Sequence, residues 1–349
     1  MLKPYFGKML KYILFGKQDI NDVLQYIDIS QYPDNLYKYR SCNSEYSFDI
    51  LENDYLWADS PENFDDPFDS IVYTNHNKML DRFYSCMVNH MPEIIYSCLS
   101  DDEKTKYSVD DFERIKQNFF DDNGNFSRSK INKHVKEAKK SDVVNKVLED
   151  FYSEENEKEY SKSIVDTFDE FINHLRKAMF VCCLSQNGDN LKMWEDYADK
   201  YHGFVIEYSF DNFDNDIVKK YLYKLFPVQY YKRMPKYDTT DFNEFLFQKH
   251  FYDKTIDITD SFCDFYKHTL YKKFEYASEE EWRIIVNNKE SQRIEFPFVS
   301  AVYAGYKITD DNLKRLMAIC KKKNIPLYKQ ALDSIGGRFV YYPVDLGED

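Results

Sequence analysis

Strand-like alternation occupies two blocks of the chain, about residues 36–74 and 179–331, and is missing between them, from about 75 to 177. That interruption constrains the fold more than any other feature. Inside it, stretches such as VDDFERIKQNFF (109–120) and SIVDTFDEFINHLRKAMF (163–180) are highly charged and space their apolar residues three and four apart. This is the period of amphipathic helices. The expected fold class is therefore α+β, with the core formed by 36–74 and 178–345, a helical arm over 1–35, and a large helical insertion over 75–177.

Within the core the local signals are specific. LYKYR (36–40) reads as a strand, and NSEYSFDILEND (43–54) as a helix with Ser44 at its N-cap position. A strand, YLWAD (55–59), leads into the acidic loop SPENFDDPFDS (60–70), where Pro61 and Pro67 oppose helix. MFVCCLSQ (179–186) and FVIEYSF (204–210) read as strands flanking a helix in DNLKMWEDYADKYHG (189–203), with Gly203 as its C-terminal stop. A long helical pattern spans about 241 to 274, and EEEWRIIV and RIEFPFVSAVYAGY read as strands. The helix TDDNLKRLMAICKKKN (309–324) precedes a last strand near IPLYKQAL.

Composition excludes several functions. The formal charge of -14 opposes a protein whose affinity comes from blanketing phosphates. Seven scattered cysteines without a C-x-x-C pair oppose a zinc knuckle or a thioredoxin-type centre and fit a reducing, cytoplasmic compartment. No metal is expected. The basic N-terminal segment is interrupted by Lys3, Lys8 and Lys11 and reads as an arm, and no apolar run reaches the ~20 residues that span a bilayer.

Four stretches carry candidate chemistry. In LYKYR, alternation puts Lys38 and Arg40 on one face and Tyr37 and Tyr39 on the other. Asp65, Asp66 and Asp69 offer hard oxygen ligands for a divalent cation, or an Asx-turn and cap. Ser185 ends a strand, with Trp194 and Tyr197 three apart on the following helix, where they serve core packing or ring stacking. In the run Glu279, Glu280, Glu281, Trp282, Arg283, an extended chain places Glu279, Glu281 and Arg283 on one face and Glu280, Trp282 and Ile284 on a core face. The first face is a local ion pair or part of a site. A fifth stretch, Val218 to Lys236, interleaves Lys219, Lys220, Lys224, Lys232 and Arg233 with five aromatics, which reads as a single-strand stacking surface or as a strand and hairpin whose rings are core.

The ordered set LYKYR, LWADSPENFDDPFD, MWEDYADKYHGF and EEEWRI resembles the domain-of-unknown-function family DUF2971 over about 36–74 and 179–331. The chain departs from that family's pattern at Asp65, where Asn is usual. The set is also similar to the Arg-Ser-Glu arrangement of ADP-ribosyltransferases, whose Ser-Thr-Ser run is replaced here by LSQN. That similarity implies a split β core and NAD as a substrate whose nicotinamide is displaced by a macromolecular acceptor, as in toxins or antiviral defence effectors. It assigns Arg40 the pyrophosphate, with Lys38 as its rival, Ser185 the ribose, Glu281 catalysis and Glu279 the acceptor. Tyr39, Trp194, Tyr197 and Arg283 would line the cofactor, and Lys219, Lys220, Lys224, Lys232 and Arg233 would meet a nucleic-acid acceptor. Two other classes stand beside it: a metal-dependent nuclease using Asp65, Asp66 and Asp69 with Glu279 or Glu281, and a non-enzymatic module binding nucleic acid or protein.

Overall fold

A computed structural model describes residues 4–16, 19–66, 68–122, 124, 126–137, 154–252, 266–287 and 289–347. Pro67 and Cys263 lie outside them. The chain divides into two compact units. One comprises Met1–Ile71, Leu175–Pro235 and Tyr266–Asp349; the other comprises Val72–His174 and Lys236–Phe265.

The first unit carries the strands. In chain order these are β1 (Asn35–Arg40), β2 (Tyr55–Trp57), β3 (Met179–Ser185), β4 (Phe204–Ser209), β5 (Leu225–Pro227), β6 (Gln229–Tyr231), β7 (Tyr271–Lys273), β8 (Glu281–Asn287), β9 (Arg293–Glu295), β10 (Val299–Ala304), β11 (Leu327–Asp333) and β12 (Arg338–Pro343). Eight of them form one mixed sheet in the order β12-β11-β10-β4-β1-β3-β8-β5. Its pairs are antiparallel except β10 with β11, which the helix Asp310–Lys323 connects. β2 pairs with β9 and β6 with β7 in two small ribbons.

One face of this sheet builds the core. Leu36, Cys182, Leu184, Phe204, Ile206, Trp282, Ile284 and Val286 are all buried and pack with Phe48 and Leu51 of the helix Glu45–Glu52 and Leu316 and Ile319 of the helix Asp310–Lys323. Burial of each large side chain contributes roughly 1.5–3 kcal/mol; β8 is buried on both faces from Glu281 to Val286.

Several sequence expectations change. Ser44 does sit at an N-cap position, but its side chain makes no capping hydrogen bond. The helix expected over 189–203 ends at Asp196, and Asp199, Lys200 and Tyr201 turn the chain with positive φ. Gly203 is thus no helix stop. A Cβ there would lie 2.1 Å from the Arg40 carbonyl oxygen, so glycine is demanded by backbone contact between strand ends. Gly203→Ala should cost about 1–3 kcal/mol in urea unfolding, the range for overpacking a rigid site. Of the helical pattern read from about 241 to 274, Thr240–Tyr252 is a helix, 253–265 lie outside the described residues, 266–270 are a short helical turn, and the end, YKK, is the strand β7. Residues 218–236 form no hairpin: the helix Asn215–Leu222 is followed by β5 and β6, which join different sheets.

The second unit shows helices and no named strand among its described residues. Tyr84, Val88, Ile95, Phe112, Phe119 and Ile131 make its core. Helical spacing accounts for these positions: Tyr84 and Val88 lie four apart, one above the other.

Candidate functional site

The sheet is almost split between β1 and β3. β1 pairs with β4 along all six residues, and β3 with β8 along all seven, yet β1 meets β3 only at Tyr37 and Ser185. Beyond that pair the strands part, and their unpaired backbone groups need other partners. Lys38 supplies one, its ammonium donating to the Cys183 carbonyl. Asp59 supplies two more, bridging Val181 through reciprocal hydrogen bonds of 2.9 and 2.8 Å.

A cavity of about 610 Å³ lies at this parting. Lys38, Tyr39, Arg40 and Tyr55 line it, as do Val181 to Ser185, Tyr197, Lys272, Tyr276, Glu279 and Glu281. Its size falls within the ordinary range of small-molecule sites. The Nε of Arg40 is buried there without a hydrogen-bond partner.

Beside the cavity sits a buried cluster of five charged groups. Arg283 has no exposed surface. Its Nε donates to Glu281 Oε1 at 2.8 Å and its Nη2 to Asp69 Oδ2 at 2.8 Å, while Nη1 donates to Ser70 Oγ and the Thr269 carbonyl. Lys272 Nζ donates to Glu279 Oε2 at 2.7 Å and to Glu281 Oε2 at 2.9 Å, and lies 3.6 Å from Asp69. Three carboxylates against two cations leave a formal surplus of one negative charge.

That surplus falls on Glu279. Burial raises its pKa, with the Glu281 charge adding to the effect against the pull of Lys272. Burial would raise Glu281 too, but the adjacent Arg283 and Lys272 outweigh it and hold Glu281 well below the usual carboxylate range. Two carboxyls on one lysine are thereby driven apart, a pattern that assigns acid and base roles in enzyme sites. In a carboxyl-detected NMR titration Glu279 should take its proton above the ordinary ~4.3 of glutamate and Glu281 below it. The linkage has opposite signs: the stability from Glu279 is complete below its unfolded pKa and lost as pH rises through its folded one. That from Glu281 is present above its unfolded pKa and lost as pH falls through its folded one. Glu281→Gln should return the Glu279 midpoint toward the ordinary value.

The sequence candidates occupy distinct places. Glu279 and Glu281 do share a lysine, but the run 279–286 is not one strand. Glu279 ends the 3-10 turn Phe274–Glu279, and Glu280 is left-handed (φ 45°) and exposed rather than on the core face. Ser185 is fully buried; its hydroxyl donates to the Glu279 carbonyl at 2.6 Å and accepts from the Asn187 N–H, so it fixes the glutamate turn. Tyr39 donates to the Asn187 carbonyl. Tyr197 is 45% exposed at the cavity, whereas Trp194 is buried in core against Tyr39 and Tyr201. Arg283 lies beneath the cavity and does not line it.

Asp69 is committed to Arg283, Asp66 accepts from the Phe68 N–H in an Asx-turn, and Asp65 is exposed. Among the described residues these aspartates form no group close enough to share an ion with Glu279 or Glu281. In the basic stretch, Lys224 pairs with Glu290 and Lys232 sits over the Phe274 ring, while Lys220 and Arg233 are exposed and Lys219 is half-buried. Val218, Leu222 and Phe226 are core, and the Tyr230 hydroxyl accepts from the Glu281 N–H.

Lys272 was not anticipated. Nothing in YKKFEYASEE marks one lysine as the hub of a charge cluster, and only the pairing of β7 with β6 puts it there.

Residues 193–284 match the model of a family described as a protein of unknown function, DUF2971. No curated protein and no solved structure matches this chain. Among the described residues no helix is long and apolar enough to cross a membrane.

Proposed function

We propose that the chain cleaves NAD and transfers its ADP-ribose to an acceptor, using the parting of β1 and β3 as an ADP-ribosyltransferase-like dinucleotide cleft. One observation carries this reading: Lys38 and Arg40 on one strand, Glu281 at the start of another and Glu279 in the turn before it line the same cavity, where the sheet is held by a single residue pair. Arg40, with an unsatisfied buried Nε, suits a forked contact to the pyrophosphate, and Lys38 adds a point charge. Tyr197 and Tyr276 offer faces on which a ring can stack.

The reaction balances on these groups. The bond from the ribose anomeric carbon to nicotinamide breaks with both electrons going to the ring nitrogen, so nicotinamide leaves neutral. Glu281, kept ionised by Arg283 and Lys272, opposes the positive charge as it grows on the ribose. An acceptor oxygen or nitrogen then bonds to that carbon, and its proton passes to Glu279, whose raised pKa suits a base nearer neutral pH. Ser185, to which the resemblance gives the ribose, lines the cavity and uses its hydroxyl to hold the glutamate turn. The exposed Lys220 and Arg233 are available to an acidic acceptor such as nucleic acid.

The test is nicotinamide release from NAD by the full-length protein, with and without added RNA, DNA or protein acceptors. Release that depends on Arg40 and Glu281 supports the reading. Saturable NAD binding without release would replace it with a non-enzymatic binding module.

A further inference from the structure

The helical unit holds a second cluster of chemistry-bearing side chains. The helix His76–Asn89 carries Cys86 in its last turn, and His90 is the residue that closes it. Four residues apart, their side chains fall on one face. The helix Thr240–Tyr252 contributes Glu244. Cys86 Sγ lies 3.0 Å from Glu244 Oε2, and His90 Nε2 lies 3.8 Å from Glu244 Oε1. One ligand atom from each residue lies within 4.8 Å of the other two.

We infer that Cys86, His90 and Glu244 bind a divalent ion of the zinc class, with a fourth position left for water or another donor. The donor set selects the metal: a thiolate and an imidazole favour zinc-like ions, whereas magnesium and calcium require shells of oxygen. Distances agree. Tetrahedral bonds of about 2.0–2.3 Å separate neighbouring donors by about 3.3–3.8 Å. Cys86 and His90 approach different oxygens of Glu244, at 3.0 and 3.8 Å, and with one donor from each residue the 4.8 Å limit closes to that range with side-chain shifts of about 1 Å.

Contacts between the helices hold the frame that presents these donors. Arg82 pairs with Asp238 just before the second helix, Asn243 Nδ2 donates to the Met79 carbonyl at 3.1 Å, and Phe242 packs edge-on against Phe168. Gln248 Nε2 donates to Glu244 Oε1 at 2.8 Å and fixes the carboxylate. When the metal binds, a sulfur–metal bond forms and the thiol proton, now donated to Glu244, leaves to solvent. The inference does not depend on the proposed NAD chemistry.

The experiment uses full-length, tag-free protein, stripped with chelator and titrated with cobalt(II) and then zinc(II). A stoichiometric tetrahedral cobalt spectrum with a thiolate charge-transfer band is expected, displaced by zinc. Cys86→Ser should remove the charge-transfer band and His90→Phe should weaken cobalt binding about a hundredfold or more, the scale on which altering a metal's surroundings acts. Cys98→Ser, at an exposed cysteine, should change neither. A wild-type spectrum that is octahedral and thiolate-free, or a band that survives Cys86→Ser, overturns the site. Should a variant fail to fold, the wild-type spectrum alone decides.

Discussion

Arg283→Met is expected to lower folding stability by roughly 3–5 kcal/mol, the cost of leaving buried charge without its partner. Arg283 is wholly enclosed and gives hydrogen bonds to Glu281, Asp69, Ser70 and the Thr269 carbonyl. Methionine fills a similar volume but returns none of these bonds. Three carboxylates would then share Lys272 alone. The pKa values of Glu279 and Glu281 in the folded state should rise, so the variant should regain stability as pH falls from 7 toward 5. Urea unfolding at several pH values reads both effects. Lys192→Ala, which breaks an exposed pair with Asp196, serves as the comparison and should cost at most about 1 kcal/mol. A similarly small loss for Arg283→Met would mean that the cluster contributes little to the fold.

Glu281→Gln should remove the chemistry, with some loss of stability at neutral pH because Arg283 and Lys272 hold Glu281 ionised in the fold. The cluster carries one more negative than positive charge, so neutralising Glu281 brings it to balance and leaves Arg283 with Asp69. Gln keeps the shape and can still accept from Arg283 or Lys272. If Glu281 opposes charge on the ribose, nicotinamide release should fall by a hundredfold or more with NAD binding little changed. Glu280→Gln is the matched control, since that side chain is exposed on a left-handed residue. Equal release by all three proteins would remove Glu281 from the reaction, and its network would then be structural only.

The strands that make the sheet were legible because the apolar residues that face the main core recur at every second position. Cys182 and Leu184 in β3, and Trp282, Ile284 and Val286 in β8, show it directly. Short elements defeat that signal. β7 is three residues long at the end of a helical pattern, and β12 went unread although Gly336 and Gly337 ahead of it are turn residues that announce a hairpin with β11. Of the site, Glu279, Glu281 and Arg283 read together as a local ion pair, and Arg283 does pair with Glu281 two residues away, whereas Asp69 read as a metal ligand or cap. Its joining to Arg283 is long-range. Arg283 and Asp69 are 214 residues apart, and Cys86 and Glu244 are 158 apart. Pairings over such distances leave no local periodicity, so the charges in EEEWR could be paired with each other but not with Asp69.

The near-split between β1 and β3 has an elastic consequence. A sheet resists shear through its ladder of hydrogen bonds, and here that ladder thins to one rung along the line where the cavity runs. The softest direction of the sheet is thus the one that widens the cavity, and thermal breathing of the two halves about Tyr37 and Ser185 is breathing of the cleft. A ligand gripping Arg40 on one side and the glutamates on the other would act as the absent rungs. It would turn two compliant half-sheets into one stiff plate, with slower backbone hydrogen exchange along residues 38–40 and 181–184 as the visible trace.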